Sequence, residues 1–426
     1  MSLRLLLSVL IGLGGIISAI ASPANAQRIS LIRDAETENT IRAYATPLLL
    51  AARLEPSAVR ILIVNNKSLN AFVAAGQNLF INTGLIMRAS DASEVIGVLA
   101  HETGHIAGGH LIRSTQALKD ASASTILGYI LGGAAVIAGR PDVGAAVIGG
   151  AQNAAVRSYL KFSRTQESAA DRAGVRFLDQ TQQSSGGMLT FMNTLGEQEL
   201  LSVSRQDAYV RSHPLTRDRI EFIAEHVRQS PWSDETDAPG DVVRQERMRA
   251  KLIAFIKRPR QVLKTFYPET DTSLPGRYAR AIAYFRQPDL PRALAEVDSL
   301  LAEMPQDPYF HELKGQMLYE NGHAAEAIPA YAAAVALRPE DPLLLTGLAQ
   351  VQLEGGGDAG LAEAIASLES ARRIDSENPG TWRLLSIGYH RHGDAGAASL
   401  AAGEYSLLIG QAEDARLHAG RAEREY

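Results

Sequence analysis

Apolar positions along this chain group in two ways, and each predicts a different kind of element. From Ile29 to Leu50 they return every three to four residues, which predicts an amphipathic helix. Arg60–Val64 and Leu69–Ala74 are short β-branched or aromatic runs joined by the polar Asn65-Asn66-Lys67, and both read as strands. A glycine opens a further strand from Gly76 to Asn82. The helical period then returns between Asp91 and His105, where Val95, Val98 and Leu99 form an apolar face. Asp91 suits the N-cap of that helix, and Glu94 falls where a capping box places its acid. A small sheet therefore precedes an amphipathic helix.

Residues 125–150 (TILGYILGGAAVIAGRPDVGAAVIGG) are unusually apolar and small. Each half is too short to span a bilayer, and Arg140-Pro141-Asp142 breaks the run. The segment reads as a buried helical hairpin, with peripheral membrane contact as the competing reading. Residues 230–240 (SPWSDETDAPG) are polar, carry two prolines and mark a boundary; a connecting helical region follows through Phe255. The C-terminal third repeats itself. Asp307-Pro308 and Asp341-Pro342 lie 34 residues apart, and Asn378-Pro379 follows with a shift of three near Gly355-Gly356-Gly357. Gly315, Tyr319, Gly322, Ala327, Tyr331 and Pro339 match the pattern of a tetratricopeptide repeat. About four units fit between Pro275 and Gly410, stacked as a solenoid whose concave face binds protein.

Composition narrows the setting. A short basic start at Arg4, an apolar run from Leu5 to Ile20 and the small-x-small Ala24-Asn25-Ala26 predict a cleaved signal peptide, with export to a periplasm. A retained N-terminal anchor is the other reading. There is no cysteine, hence no disulfide framework and no lipid-anchoring thiol. The net charge is −5 with no basic tract, so nothing points to nucleic acid.

The chemistry lies in His101-Glu102-Thr103-Gly104-His105. Residues four apart share a helical face, so His101 and His105 can hold one metal ion. Glu102 stands one step round, where it can take a proton from a metal-bound water. A third ligand is expected from Glu167 in Glu167-Ser168-Ala169-Ala170-Asp171. Asp171 lies on the same face and can accept a hydrogen bond from a ligand histidine. Ala169, Ala170, Ala173 and Gly174 make that helix slim enough to pack closely. His110 follows His105 by five positions, turned away from the ligand face, and reads as supporting or structural. The remaining histidines, His213 apart, show no partner pattern.

HETGH followed by SRTQESAAD resembles the zinc metallopeptidases that include HtpX and the CAAX prenyl endopeptidases. Arg33-Asp34-Ala35-Glu36 is similar to the family's first helix, Asn70-Ala71-Phe72 with the Gly76–Gly84 stretch to its "NAF…G…TGL" run, and Ser212-His213-Pro214 through Arg219 to its "HP…R" segment. The leader and the repeats narrow the resemblance to the BepA-like (beta-barrel assembly-enhancing) periplasmic proteases. It implies one zinc held by His101, His105 and Glu167, Glu102 as general base, and His213 and Arg219 near the open position. His213 could donate to the oxyanion or bind the zinc and close the site; Arg219 could hold a carboxylate or the oxyanion. The substrate backbone is expected to add to the strand of Gln77, Asn78, Leu79, Phe80, Ile81 and Asn82.

The expected fold is α+β, mainly α. An HExxH/ExxxD metallopeptidase domain with a small β-sheet precedes an α-solenoid of repeats. Expected boundaries are a signal peptide at 1–26, the peptidase domain at 27–232, connecting helices at 233–270 and repeats at 271–426. The implied function is an endopeptidase acting on misfolded or stalled outer-membrane proteins, with repeats that dock clients or the barrel-assembly machinery. The competing reading is a chaperone or adaptor of outer-membrane assembly whose zinc site is latent or structural.

Overall fold

The computed structural model describes residues 30–74, 76–110, 113, 163–199, 213 and 215–426. The hairpin expected at 125–150 and the expected leader lie outside them. Strand β1 (Leu31–Ile32) opens the described chain, followed by helix α1 (Ala35–Ala51). The expected helix from Ile29 thus starts later, because Asp34 takes an extended backbone and its carboxylate accepts the Thr37 N–H at 2.8 Å. What precedes the cap pairs with β2 (Arg60–Val64) instead. Strands β3 (Ala71–Ala74) and β4 (Asn78–Asn82) complete a sheet of order β1-β2-β4-β3.

Strand β4 runs parallel to β2 and antiparallel to β3, so both of its edges are bonded. This corrects the expectation for Gln77, Asn78, Leu79, Phe80, Ile81 and Asn82: that strand has no free edge for a substrate backbone. Among the described residues the edge beside the helix that carries His101 and His105 is β3, which packs against it.

Helices α2 (Thr83–Arg88) and α3 (Ala92–Ala107) follow, α3 carrying the HExxH sequence. Asp91 occupies the N-cap position without capping through its side chain; the Ser93 N–H is taken by Asp237 at 3.1 Å. Glu94 reaches back as a capping-box acid does, to Ser90 at 3.1 Å. Residues 163–180 form helix α4, and α5 (Gly186–Glu199) and α6 (Arg217–Gln229) close the domain. One core unites Ile41 and Leu48 of α1, Ile63 and Ile81 of the sheet, Val98 and Leu99 of α3, Leu178 of α4, Phe191 of α5 and Ile223 of α6.

Helix α7 (Pro239–Ile256) lies in the connecting region and serves two cores. Met248 and Leu252 join the core just described, while Ala250, Ile253 and Ala254 join a second with the repeats. The repeats are four helix pairs: α8 (Leu274–Phe285) with α9 (Leu290–Glu303), α10 (Pro308–Glu320) with α11 (Ala324–Leu337), α12 (Pro342–Gly355) with α13 (Gly357–Ile374), and α14 (Pro379–His392) with α15 (Ala395–Leu408). A final helix, α16 (Ala412–Glu425), packs on α15. The recurring Asx-Pro pair has a direct cause. Asp307, Asp341 and Asn378 cap the first helix of each of three successive pairs through their side chains, and the proline follows where no N–H is needed. Gly315 and Gly347 admit the Tyr331 ring between helices, since a Cβ on either would stand 2.6 Å from it. No helix among the described residues is long and apolar enough to cross a membrane.

Candidate metal centre

Close helix packing builds the site. A Cβ on Gly104 would lie 2.7 Å from the Ala170 carbonyl, and one on Gly174 would lie 3.2 Å from Ala100. Only small residues let α3 and α4 approach this far, and the approach brings Glu167 and Asp171 against the two histidines.

His101, His105, Glu167 and His213 gather with one ligand atom from each lying within 4.8 Å of the others. His101 Nε2 stands 3.0 Å from His105 Nε2 and 3.3 Å from Glu167 Oε2, and His105 Nε2 stands 3.4 Å from Glu167 Oε1. His213 Nδ1 lies 3.4 Å from His101 Nε2 and 3.2 Å from Glu167 Oε2. Donor atoms about 2.0–2.1 Å from one tetrahedral ion stand roughly 3.3–3.4 Å apart. These five separations, 3.0–3.4 Å, lie near that spacing and the whole set stays within 4.8 Å, so it fits a divalent cation.

The surroundings fix each donor. His101 Nδ1 meets Asp171 Oδ1 at 2.8 Å. Arg219, buried at the start of α6, donates to both Asp171 oxygens, at 2.6 and 2.9 Å, and its Nη1 lies 3.1 Å from Glu167 Oε2. Burial disfavours charge on His101, but its bonds to Asp171 and Glu167 outweigh that and raise it to about 9. Metal ligation needs the Nε2 lone pair free. His105 goes the other way: burial, only partly offset by Glu167, lowers it to about 3. Burial pushes Glu167 and Asp171 up, but the histidines and Arg219 around them overcome it and hold Glu167 well below, and Asp171 below, its ordinary value.

Glu102 is fully buried, and neither carboxylate oxygen has a hydrogen-bond partner among the described residues. His213 Nε2 lies 3.5 Å from its Oε1. Burial pushes its carboxyl up, with His213 and His101 opposing. A buried carboxylate without a donor is costly. It needs a polar occupant of the space it faces, and that space adjoins the four ligand atoms.

The sequence expectations thus meet at one place: His101, Glu102, His105, Glu167, Asp171, His213 and Arg219. Arg219 holds carboxylates, one of its two expected tasks. One support was left open by the sequence and a second escaped it. His110 is brought back to 3.0 Å from His105 Nδ1, and Gln166 donates to the His110 carbonyl at 3.1 Å. The adjacent glycines, Gly108-Gly109, are the signal that the helix breaks there.

A buried His/Glu cluster beside a helix-borne glutamate is the arrangement a metallopeptidase requires. Residues 32–227 match Peptidase family M48, and 278–342 and 312–379 match the tetratricopeptide repeat. The chain is a metalloendopeptidase in which a stretch matching family M48 is followed by such repeats. It is similar to the beta-barrel assembly-enhancing protease of Yersinia pestis, 24% identical over 90% of this chain and 80% of the relative. The protein of that name from Escherichia coli strain K12 is 24% identical over 83% of this chain and 72% of its own. Among solved structures, yeast Tom70 aligns over 65% of this chain and 60% of its own, at 14% identity and a TM-score of 0.37.

Proposed function

We propose that this metalloendopeptidase is a zinc enzyme, exported to the periplasm, that hydrolyses misfolded or stalled outer-membrane proteins. One observation carries the chemistry: the buried, donorless Glu102 beside four converging ligand atoms. Imidazole nitrogen and carboxylate oxygen are donors zinc takes, and His101, His105 and Glu167 are assigned as its ligands. Zinc, when bound, supplies a Lewis acid and an acidified water. Glu102 takes that water's proton on a carboxylate oxygen and passes one to the leaving amine. Burial, with His213 and His101 opposing, raises its proton affinity above that of an ordinary glutamate, which strengthens it as a base. Asp171 keeps the proton on His101 Nδ1, and Arg219 keeps Asp171 in place; Arg219 is therefore a positioning residue.

His213 is assigned as the fourth donor of a closed resting site. Its Nδ1 stands among the ligand atoms, so with a metal held there it would occupy the place the nucleophilic water needs. The substrate strand is reassigned to β3 (Ala71–Ala74), an edge of the sheet beside α3. The leader-like first 26 residues and the names of the relatives support the envelope setting. In this reading the peptidase unit spans 27–232, the connecting helices 233–270 and the client- or machinery-docking repeats 271–426. The fourth donor also favours a second reading, a chaperone or adaptor role while the site is latent.

The deciding experiment incubates the purified chain with an unfolded outer-membrane protein, with and without chelator. Cleavage is expected, and chelation abolishes it. Glu102→Gln should retain zinc yet cleave at least ~100-fold more slowly. Near-wild-type cleavage by this variant places the base elsewhere. Suppressed aggregation without cleavage by any form favours the second reading.

A further inference from the structure

His101 and His105 are supported differently. His101 Nδ1 faces the carboxylate of Asp171, itself gripped by Arg219. His105 Nδ1 faces another imidazole, His110 Nδ1, at 3.0 Å, with the rings edge-on and their centroids 4.9 Å apart. The turn that brings His110 back is built for it. Helix α3 ends at Ala107, Gly109 takes a left-handed φ of 61°, and the chain re-enters helix at His110. A Cβ on Gly108 would strike the His110 ring. His110 is buried, and Gln166, next to Glu167, holds its carbonyl.

Two ring nitrogens at this distance share one hydrogen. If His105 ligates through Nε2, as the assignment above requires, its neutral ring carries the proton on Nδ1. His110 must then accept at Nδ1 and keep its own proton on Nε2. We infer that His110 is the positioning residue of the second zinc ligand: a neutral hydrogen-bond acceptor that fixes the tautomer and ring angle of His105. It makes His105 the less basic, more readily released of the two histidine ligands, since its partner carries no charge. This rests on the metal-ligand reading of His101, His105 and Glu167.

The test measures zinc affinity of the full chain by competition with a chromophoric chelator, together with the visible spectrum of the cobalt-loaded protein. His110→Leu keeps the volume and removes the acceptor; it should weaken zinc binding about 10–100-fold and alter the cobalt spectrum. His110→Asn places an amide oxygen near the Nδ1 position and should restore affinity to within a few-fold of wild type. Gly108→Ala leaves the acceptor in the chain but crowds it, and should weaken binding in the same direction. Wild-type affinity and spectrum in His110→Leu would overturn the inference. So would equal losses in Leu and Asn variants that melt like wild type, which would mean packing alone. Unchanged affinity in His105→Ala would sink the ligand reading itself, and the role of His110 with it.

Discussion

At the scale of residues, the site separates ligands from the groups that hold them. Glu167→Ala removes a donor atom and should lower zinc occupancy of the purified protein. Asp171→Ala leaves every donor but frees the His101 ring and strands Arg219. It should keep zinc with an affinity about 10–100-fold weaker. Metal analysis distinguishes the two, and full zinc in Glu167→Ala would exclude it as a ligand. These residues were legible in sequence because each task needs a particular chemical type at a four-residue spacing. For His110 the supporting role was legible but its direction was not, for a physical reason. Helical geometry predicts that position five points away, and it holds only while the helix continues; the left-handed Gly109 ends it. Arg219 left two tasks open from sequence, and only its distances to Asp171 and Glu167 choose between them.

At the scale of elements, the metal centre depends on how closely α3 and α4 approach. Gly104→Val would place side-chain carbon against the Ala170 carbonyl, where a Cβ alone already comes within 2.7 Å. Forced separation should cost about 1–3 kcal/mol in thermal or denaturant unfolding and lower zinc affinity, since Glu167 moves with α4. Unaltered zinc affinity would mean that the helices give elsewhere. The slimness of α4 was readable from Ala169, Ala170, Ala173 and Gly174. Sheet order was not readable, because strand patterns do not reveal which strand ends at an edge. That is why β4 and β3 exchanged roles. The cap of α3 was hidden as well: its donor is met by Asp237, more than a hundred residues away.

At the scale of the molecule, catalytic domain and repeats share a buried charged seam. Arg247 of α7 lies 2.8 Å from Glu36 of α1 and grips Asp307, the cap of α10. Lys251 pairs with Asp34, and the Tyr278 hydroxyl donates to Glu36 at 2.6 Å. Further out, Asn39 donates to Asp341 and Arg33 to Asp375. Periodicity exposed the repeats but said nothing of this seam, because its partners come from opposite ends of the chain. A chain cut at Ser230 loses Arg247 and Lys251 and leaves Asp34 and Glu36 without their cations. It should therefore fold poorly, although every proposed zinc ligand remains. Arg247→Ala in the full chain should cost roughly 3–5 kcal/mol in denaturant unfolding, the cost of removing one partner from a buried pair.

The seam also carries surplus acid. Glu312 lies in it with Lys251 Nζ 3.9 Å away, and its Oε2 has no hydrogen-bond partner among the described residues. Burial, only partly offset by Lys251, raises its carboxyl to about 8 from an ordinary 4.5. The sign follows from proton counting. Between about pH 4.5 and 8 the folded chain holds this proton and the unfolded chain has released it, so Glu312 makes stability fall as pH rises through that window. Above the folded value the penalty is complete. Glu312→Gln removes the titration while keeping the shape. Unfolding midpoints of the full chain measured from pH 5 to 9 should therefore fall less steeply in the variant, which should be the more stable protein at pH 9. Parallel pH profiles for the two proteins would mean that Glu312 stays ionised, held by Lys251 against its burial.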